Sequence, residues 1–135
     1  MAEFSLDPAL AADSVAVSNL ALSELRLMND ARFPWLLLVP RRVGAIEIID
    51  LPKSDRATLF EEINAASAAL RAVTRCDKLN VGALGNRVSQ LHVHIVARFA
   101  GDAAWPGPVW GSGSAQAYAS AARDRLIGDI RGALA

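Results

Sequence analysis

Apolar and polar residues alternate over residues 90–98, with Leu91, Val93, Ile95 and Ala97 on one side and Gln90, His92, His94 and Arg98 on the other. A period of two is that of a β-strand with one face turned toward a core. Residues 14–20 and 24–28 alternate in the same way and predict two more strands, joined tightly through Ala21, Leu22 and Ser23. Asn29, Asp30, Ala31 and Arg32 then read as a turn, because Asn and Asp side chains satisfy nearby backbone groups. The run from Pro34 to Pro40 is almost wholly apolar and framed by prolines, which at that length suits a buried strand. Residues 78–84 have strand character and end in a Gly/Asn-rich connection, so they predict an antiparallel partner for residues 90–98.

Between these strands the period changes. Leu59, Ile63, Ala66, Leu70 and Val73 recur at spacings of four and three, predicting a helix over about 55–75 with Ser54 as N-cap and Asp55 in the first turn. Each large apolar side chain of that stripe gains roughly 1.5–3 kcal/mol if fully buried, which identifies a helix covering a core. Tyr118, Ala122, Leu126, Ile130 and Leu134, spaced by four, predict a C-terminal helix over about 115–133. Residues 1–13 read as an irregular or briefly helical lead-in, and residues 46–51 as a short strand or an extended crossing. Residues 99–114, rich in Gly and Pro, form a long loop of the kind that often carries function. The sum is an α+β fold: one domain over residues 1–135 with its core in 14–111, a mostly antiparallel five-stranded sheet, one long helix packed on it and a C-terminal helix.

Composition narrows the functional classes. Of 135 residues 53% are hydrophobic, and 14 acids balance 14 bases, which describes a globular chain and removes any global electrostatic case for nucleic acid or membrane partners. A local basic patch from Arg41, Arg42, Arg87 and Arg98 stays open. Cys76 is the single cysteine, so no internal disulfide forms and a reducing compartment is expected. Glu3 and Asp7 stand where a secretory signal places basic residues, and no apolar stretch approaches the roughly 20 residues a membrane helix needs. A cytoplasmic location is the resulting expectation.

Chemistry concentrates at His92 and His94, the two histidines of the chain. Imidazole serves as nucleophile, base or acid near neutral pH, with an unperturbed pKa of about 6.5. Asn86, Arg87 and Ser89 precede the pair, and an aromatic Gly/Pro loop follows. A zinc site would need three or four ligands, with only Cys76 and scattered acids to join the two imidazoles, so neither metal nor cofactor is expected. Ordinary surface histidines on a strand are the bland alternative.

The stretch Gln90-Leu91-His92-Val93-His94-Ile95-Val96 resembles the signature of the histidine triad (HIT) superfamily, His-x-His-x-His followed by apolar residues. The resemblance extends through Asn80-Val81-Gly82 and residues 85–89, forward to Trp105-Pro106, and back over residues 25–40, so that roughly residues 14–111 follow the family's order of elements. It implies a homodimer that binds a purine nucleotide-like small molecule and reacts at its α-phosphorus through a nucleotidyl-histidine intermediate. The motif's middle histidine, the nucleophile, maps onto His92, and the third, which handles phosphate and protons, onto His94. The turn residue Asn29 or Asp30 would hold the ribose; Asn80 and Ser89 would reach the phosphate, and Arg87 would add positive charge or remain on the surface.

Two positions depart from that pattern. Gln90 replaces the first motif histidine, and glutamine carries no titratable proton, so it orients or binds but cannot act as an acid. Trp35 aligns with a further upstream histidine and either packs or lines the pocket. The loop from Trp105 to Gly111 is a lid or, as its aromatics and prolines favour, a dimer contact. Three functions follow in decreasing order: a covalent nucleotide hydrolase or transferase acting on phosphoramidates or dinucleoside polyphosphates, a nucleotide-binding dimer with weak or no catalysis, and a scaffold. The first requires the free ring nitrogen of His92 to face a cavity that admits a phosphate ester.

Overall fold

The computed structural model describes residues 3–135; the first two residues of the expected lead-in lie outside them. Five strands form a single sheet: β1 (Ser14–Asn19), β2 (Ser23–Met28), β3 (Trp35–Pro40), β4 (Lys78–Gly82) and β5 (Val93–Arg98), in the spatial order β1-β2-β3-β5-β4. Every neighbouring pair is antiparallel. The helices are α1 (Pro8–Asp13), α2 (Lys53–Thr74) and α3 (Ser120–Leu134). None of the described helices is long and apolar enough to cross a membrane.

The alternation in β3 and β5 sorts their side chains onto two faces. Leu36, Leu38, Val93, Ile95 and Ala97 join an aliphatic core with Leu59, Ala66 and Leu70 of α2 and with Ile127 and Ile130 of α3. Ile63 and Val73 complete the α2 stripe as half-buried packing. Glu62 turns inward from α2 and accepts hydrogen bonds from the Leu22 and Ser23 amides, so the helix also fixes the β1–β2 turn. On the opposite face, Trp35, Leu37, Val39 and Val96 meet Phe33, Val109 and Leu10, with Phe4 and Leu6 of the N-terminal segment packed alongside.

Three boundaries differ from the sequence expectation, and one open alternative is decided. Residues 90–92 do not pair in the ladder; the Leu91 amide donates instead to the Ala45 carbonyl, so β5 begins at Val93. Helix α2 starts two residues earlier than its Ser54 cap predicts, with Pro52 at the cap position. Helix α3 starts at Ser120 rather than 115, because the amides of Gln116 and Tyr118 are held by Asp30 and Asn29 and leave that stretch extended. Residues 46–51 form an extended crossing with a 3-10 turn at Ile48–Asp50. The basic patch left open by the sequence disperses: Arg41 binds the Leu20 carbonyl, Arg42 pairs with Asp55, and Arg98 is buried against Asp102.

Candidate functional site

Register brings Trp35 to His94. In the β3–β5 pairing Trp35 faces Val96 and Leu37 faces His94, so Trp35 and His94 are diagonal neighbours on the same side of the sheet. The Trp35 indole Nε1–H donates to His94 Nδ1 at 3.0 Å. An indole nitrogen only donates, so Nδ1 must accept, and His94 carries its proton on Nε2. Its imidazole lies edge-on to Trp110 at 5.4 Å between centroids and to His92 at 4.8 Å. Burial in this aromatic setting, together with the neighbouring His92, pushes the His94 pKa down to about 4.

His92 has the opposite tautomer. Its Nδ1 lies 2.7 Å from the Gln90 carbonyl oxygen, which can only accept, so Nδ1 bears the proton and the Nε2 lone pair is free. Two imidazoles two residues apart are thus differentiated by their partners, one as electron-pair donor and one as N–H donor. This is the division of labour that nucleophilic attack on phosphorus requires. The Trp110 Nε1–H is buried without an acceptor, an additional donor beside the pair.

Gln90 is not part of a continuous polar strand face. Its Oε1 accepts from the Asp7 amide and its Nε2 donates to the Ser5 carbonyl, so the side chain anchors the N-terminal segment. Asn80 is drawn away from the pair, its Oδ1 accepting from Arg98 Nη1. Arg98 also binds both oxygens of Asp102, at 2.8 and 2.9 Å, and stacks over Phe33 and Trp105. That guanidinium holds the Asp102 carboxyl well below the usual carboxylate range.

Asn29 and Asp30 lie in the β2–β3 turn, as expected, but their side chains hold protein groups. Asn29 Oδ1 accepts from the Tyr118 amide. Burial alone would raise the Asp30 carboxyl; the Arg32 side chain and the Arg32 and Gln116 amides outweigh it and hold Asp30 below its ordinary value. Tyr118 shares this setting, its phenol pushed up to about 12 by burial and by the Asp30 charge. Arg32 then donates to the Ser112 carbonyl and ties the loop to the turn.

These groups border a cleft of about 400 Å³, lined among others by Asn29, Asp30, Arg32, Trp35, Arg87 and Ser112. Trp35 therefore stands between the cleft and His94. His92 does not line it: its side chain borders a separate depression of about 10 Å³, with Glu47, Gly85 and Gln90 at the rim. The open cavity required at His92 is thus a small recess, bordered by Gln90 and by Glu47 of the crossing. Ser89 is exposed and lines neither space. Trp35 and Trp110 are the residues whose part the sequence left open; an indole two positions off the histidine register on a neighbouring strand is the signal that identifies the first.

The family model of the HIT domain matches residues 10–101. Among solved structures, a histidine triad protein from Bradyrhizobium japonicum is similar at 47% identity and a TM-score of 0.97, covering 99% of this chain and 100% of that one. One from Sinorhizobium meliloti is 44% identical over 96% of each chain, with a TM-score of 0.94. A third, from Marinobacter aquaeolei, is 39% identical with a TM-score of 0.96, over 98% of this chain and 97% of that one. None of the curated proteins matches the chain.

Proposed function

The chain belongs to the HIT domain family, whose members bind nucleotides, and from that premise we propose that it is a nucleotide hydrolase or nucleotidyl transferase that works through a covalent intermediate on His92. The observation that carries the reading is the free Nε2 of His92, set by the Nδ1 bond to the Gln90 carbonyl, beside the Nε2–H of His94. The 400 Å³ cleft is the seat proposed for the nucleoside, preferably a purine, with Arg87 on its wall as a counter-charge to phosphate. His94 and Trp110 are the proposed donors to the phosphoryl oxygens. A cytoplasmic setting fits the lone Cys76 thiol. A homodimer fits the free edge of β4, where Val81 and nearby Leu84 are exposed; equilibrium sedimentation of wild type and Val81→Asp tests it.

A second reading is supported by the small recess at His92 and by the engagement of Gln90 with Ser5 and Asp7: a protein that binds nucleotides without efficient chemistry. Incubation with adenylyl phosphoramidates, dinucleoside polyphosphates and other activated adenylates separates the two. The covalent reading expects turnover that is lost in His92→Ala. Calorimetric binding of AMP with no product from any substrate supports the second reading instead.

A further inference from the structure

We propose that Trp35 is a positioning residue that fixes His94 as a neutral N–H donor, so that this site transfers nucleotides only from leaving groups that depart as weakly basic anions. The proposal rests on the covalent reading for its consequence, but its geometric half stands on the Trp35–His94 bond alone. A proton added to His94 would have to enter at Nδ1, where the Trp35 indole already donates at 3.0 Å. The rings set against His94 are Trp35 from β3, Trp110 from the loop and His92 from its own segment, and among the described residues no carboxylate acts on it to favour a cation. The neutral Nε2–H stabilises charge on a phosphoryl oxygen without giving up its proton.

Gln90 does not fill the missing role, since its amide has no titratable proton and both its polar atoms are held by the N-terminal segment. In the first step the Nε2 lone pair of His92 forms a bond to the α-phosphorus, while the bond to the leaving group breaks and its electron pair leaves with it. In the second, water attacks phosphorus, the N–P bond breaks with its pair returning to Nε2, and the water's proton passes to solvent. A phosphate, pyrophosphate or sulfate departs in this way unaided. An amine does not, because expelling it without protonation forms an amide ion.

Two measurements test this. Long-range proton–nitrogen NMR correlations of the wild type are expected to show His94 protonated at Nε2, and Trp35→Phe to raise the His94 titration midpoint by about one pH unit or more. A His94 proton on Nδ1, or a midpoint unmoved in Trp35→Phe, overturns the proposal. Turnover of an adenylate anhydride is then compared with that of adenosine 5′-phosphoramidate. Since a general acid typically contributes about 10²–10⁴-fold, kcat/KM for the phosphoramidate is expected to be at least about 100-fold lower, and the gap to narrow in Trp35→Phe. Equal rates for the two substrates overturn the proposal. So does a gap that widens in Glu47→Gln, which would make that rim carboxyl the acid. A wild type that turns over neither substrate refutes the covalent reading and the leaving-group consequence with it, while the NMR spectrum still decides the state of His94.

Discussion

The two faces of the sheet are built from the same strands on different principles. Toward α2 and α3 the side chains are aliphatic, and nearly any large apolar residue of suitable volume would serve. Toward the N-terminal segment and the 99–114 loop, β3, β5 and the residue just before β5 present an indole, two imidazoles and a guanidinium, each tied to a specific partner, the imidazoles through Nδ1. The first face supplies stability through area, and the second fixes protonation state through pairing. A strand shared by both faces cannot shift register to suit one without disrupting the other.

The sharpest break in the polar face should come from Asp102→Ala. It strands the fully buried Arg98 guanidinium without its carboxylate, which typically costs about 3–5 kcal/mol; urea unfolding measures the loss. The matching break on the aliphatic face is Leu70→Ala, from the centre of the α2 stripe. It should cost about 2–5 kcal/mol while leaving the His94 tautomer as in wild type, so a change in the His94 nitrogen shifts would show that the faces are not independent.

Acid should then distinguish the faces without any mutation. Native His94 stays neutral down to about pH 4, whereas the unfolded chain takes up that proton near 6.5, so the unfolded state binds more protons in between. Stability therefore falls as pH drops from 6.5 to 4, by at most about 3 kcal/mol from this group. The carboxylates of Asp30 and Asp102 act in the same direction only below about 3.8. Urea midpoints across pH 4–7 should follow the first slope in the wild type and a shallower one in Trp35→Phe, where Nδ1 loses its indole donor while burial and His92 stay.

The aliphatic face was legible in the sequence because its signal is periodic. The alternation of β5, a strand buried on both faces, and the three- and four-residue spacing along α2 each name the side that meets the aliphatic core. Elements whose ends depend on tertiary partners were not legible. The stretch 115–119 carries the helical spacing of Tyr118, yet Asn29 and Asp30 hold its amides extended. His92 and His94 stood out as chemistry by type and spacing, but which nitrogen each exposes depends on the Gln90 carbonyl and on an indole 59 residues away. Asn80 reads as a site residue only until the buried Arg98 guanidinium, paired with Asp102, engages its Oδ1.

Covalent chemistry at this site requires above all that phosphate reach His92. A crystal of the protein soaked with AMP answers this directly. The sugar is expected in the cleft beside Asn29 and Asp30 and the α-phosphorus within about 3–3.5 Å of His92 Nε2, with the recess at Glu47 and Gln90 opened to admit it. AMP whose phosphate stays on the far side of Trp35, with the His92 ring still enclosed, would contradict it.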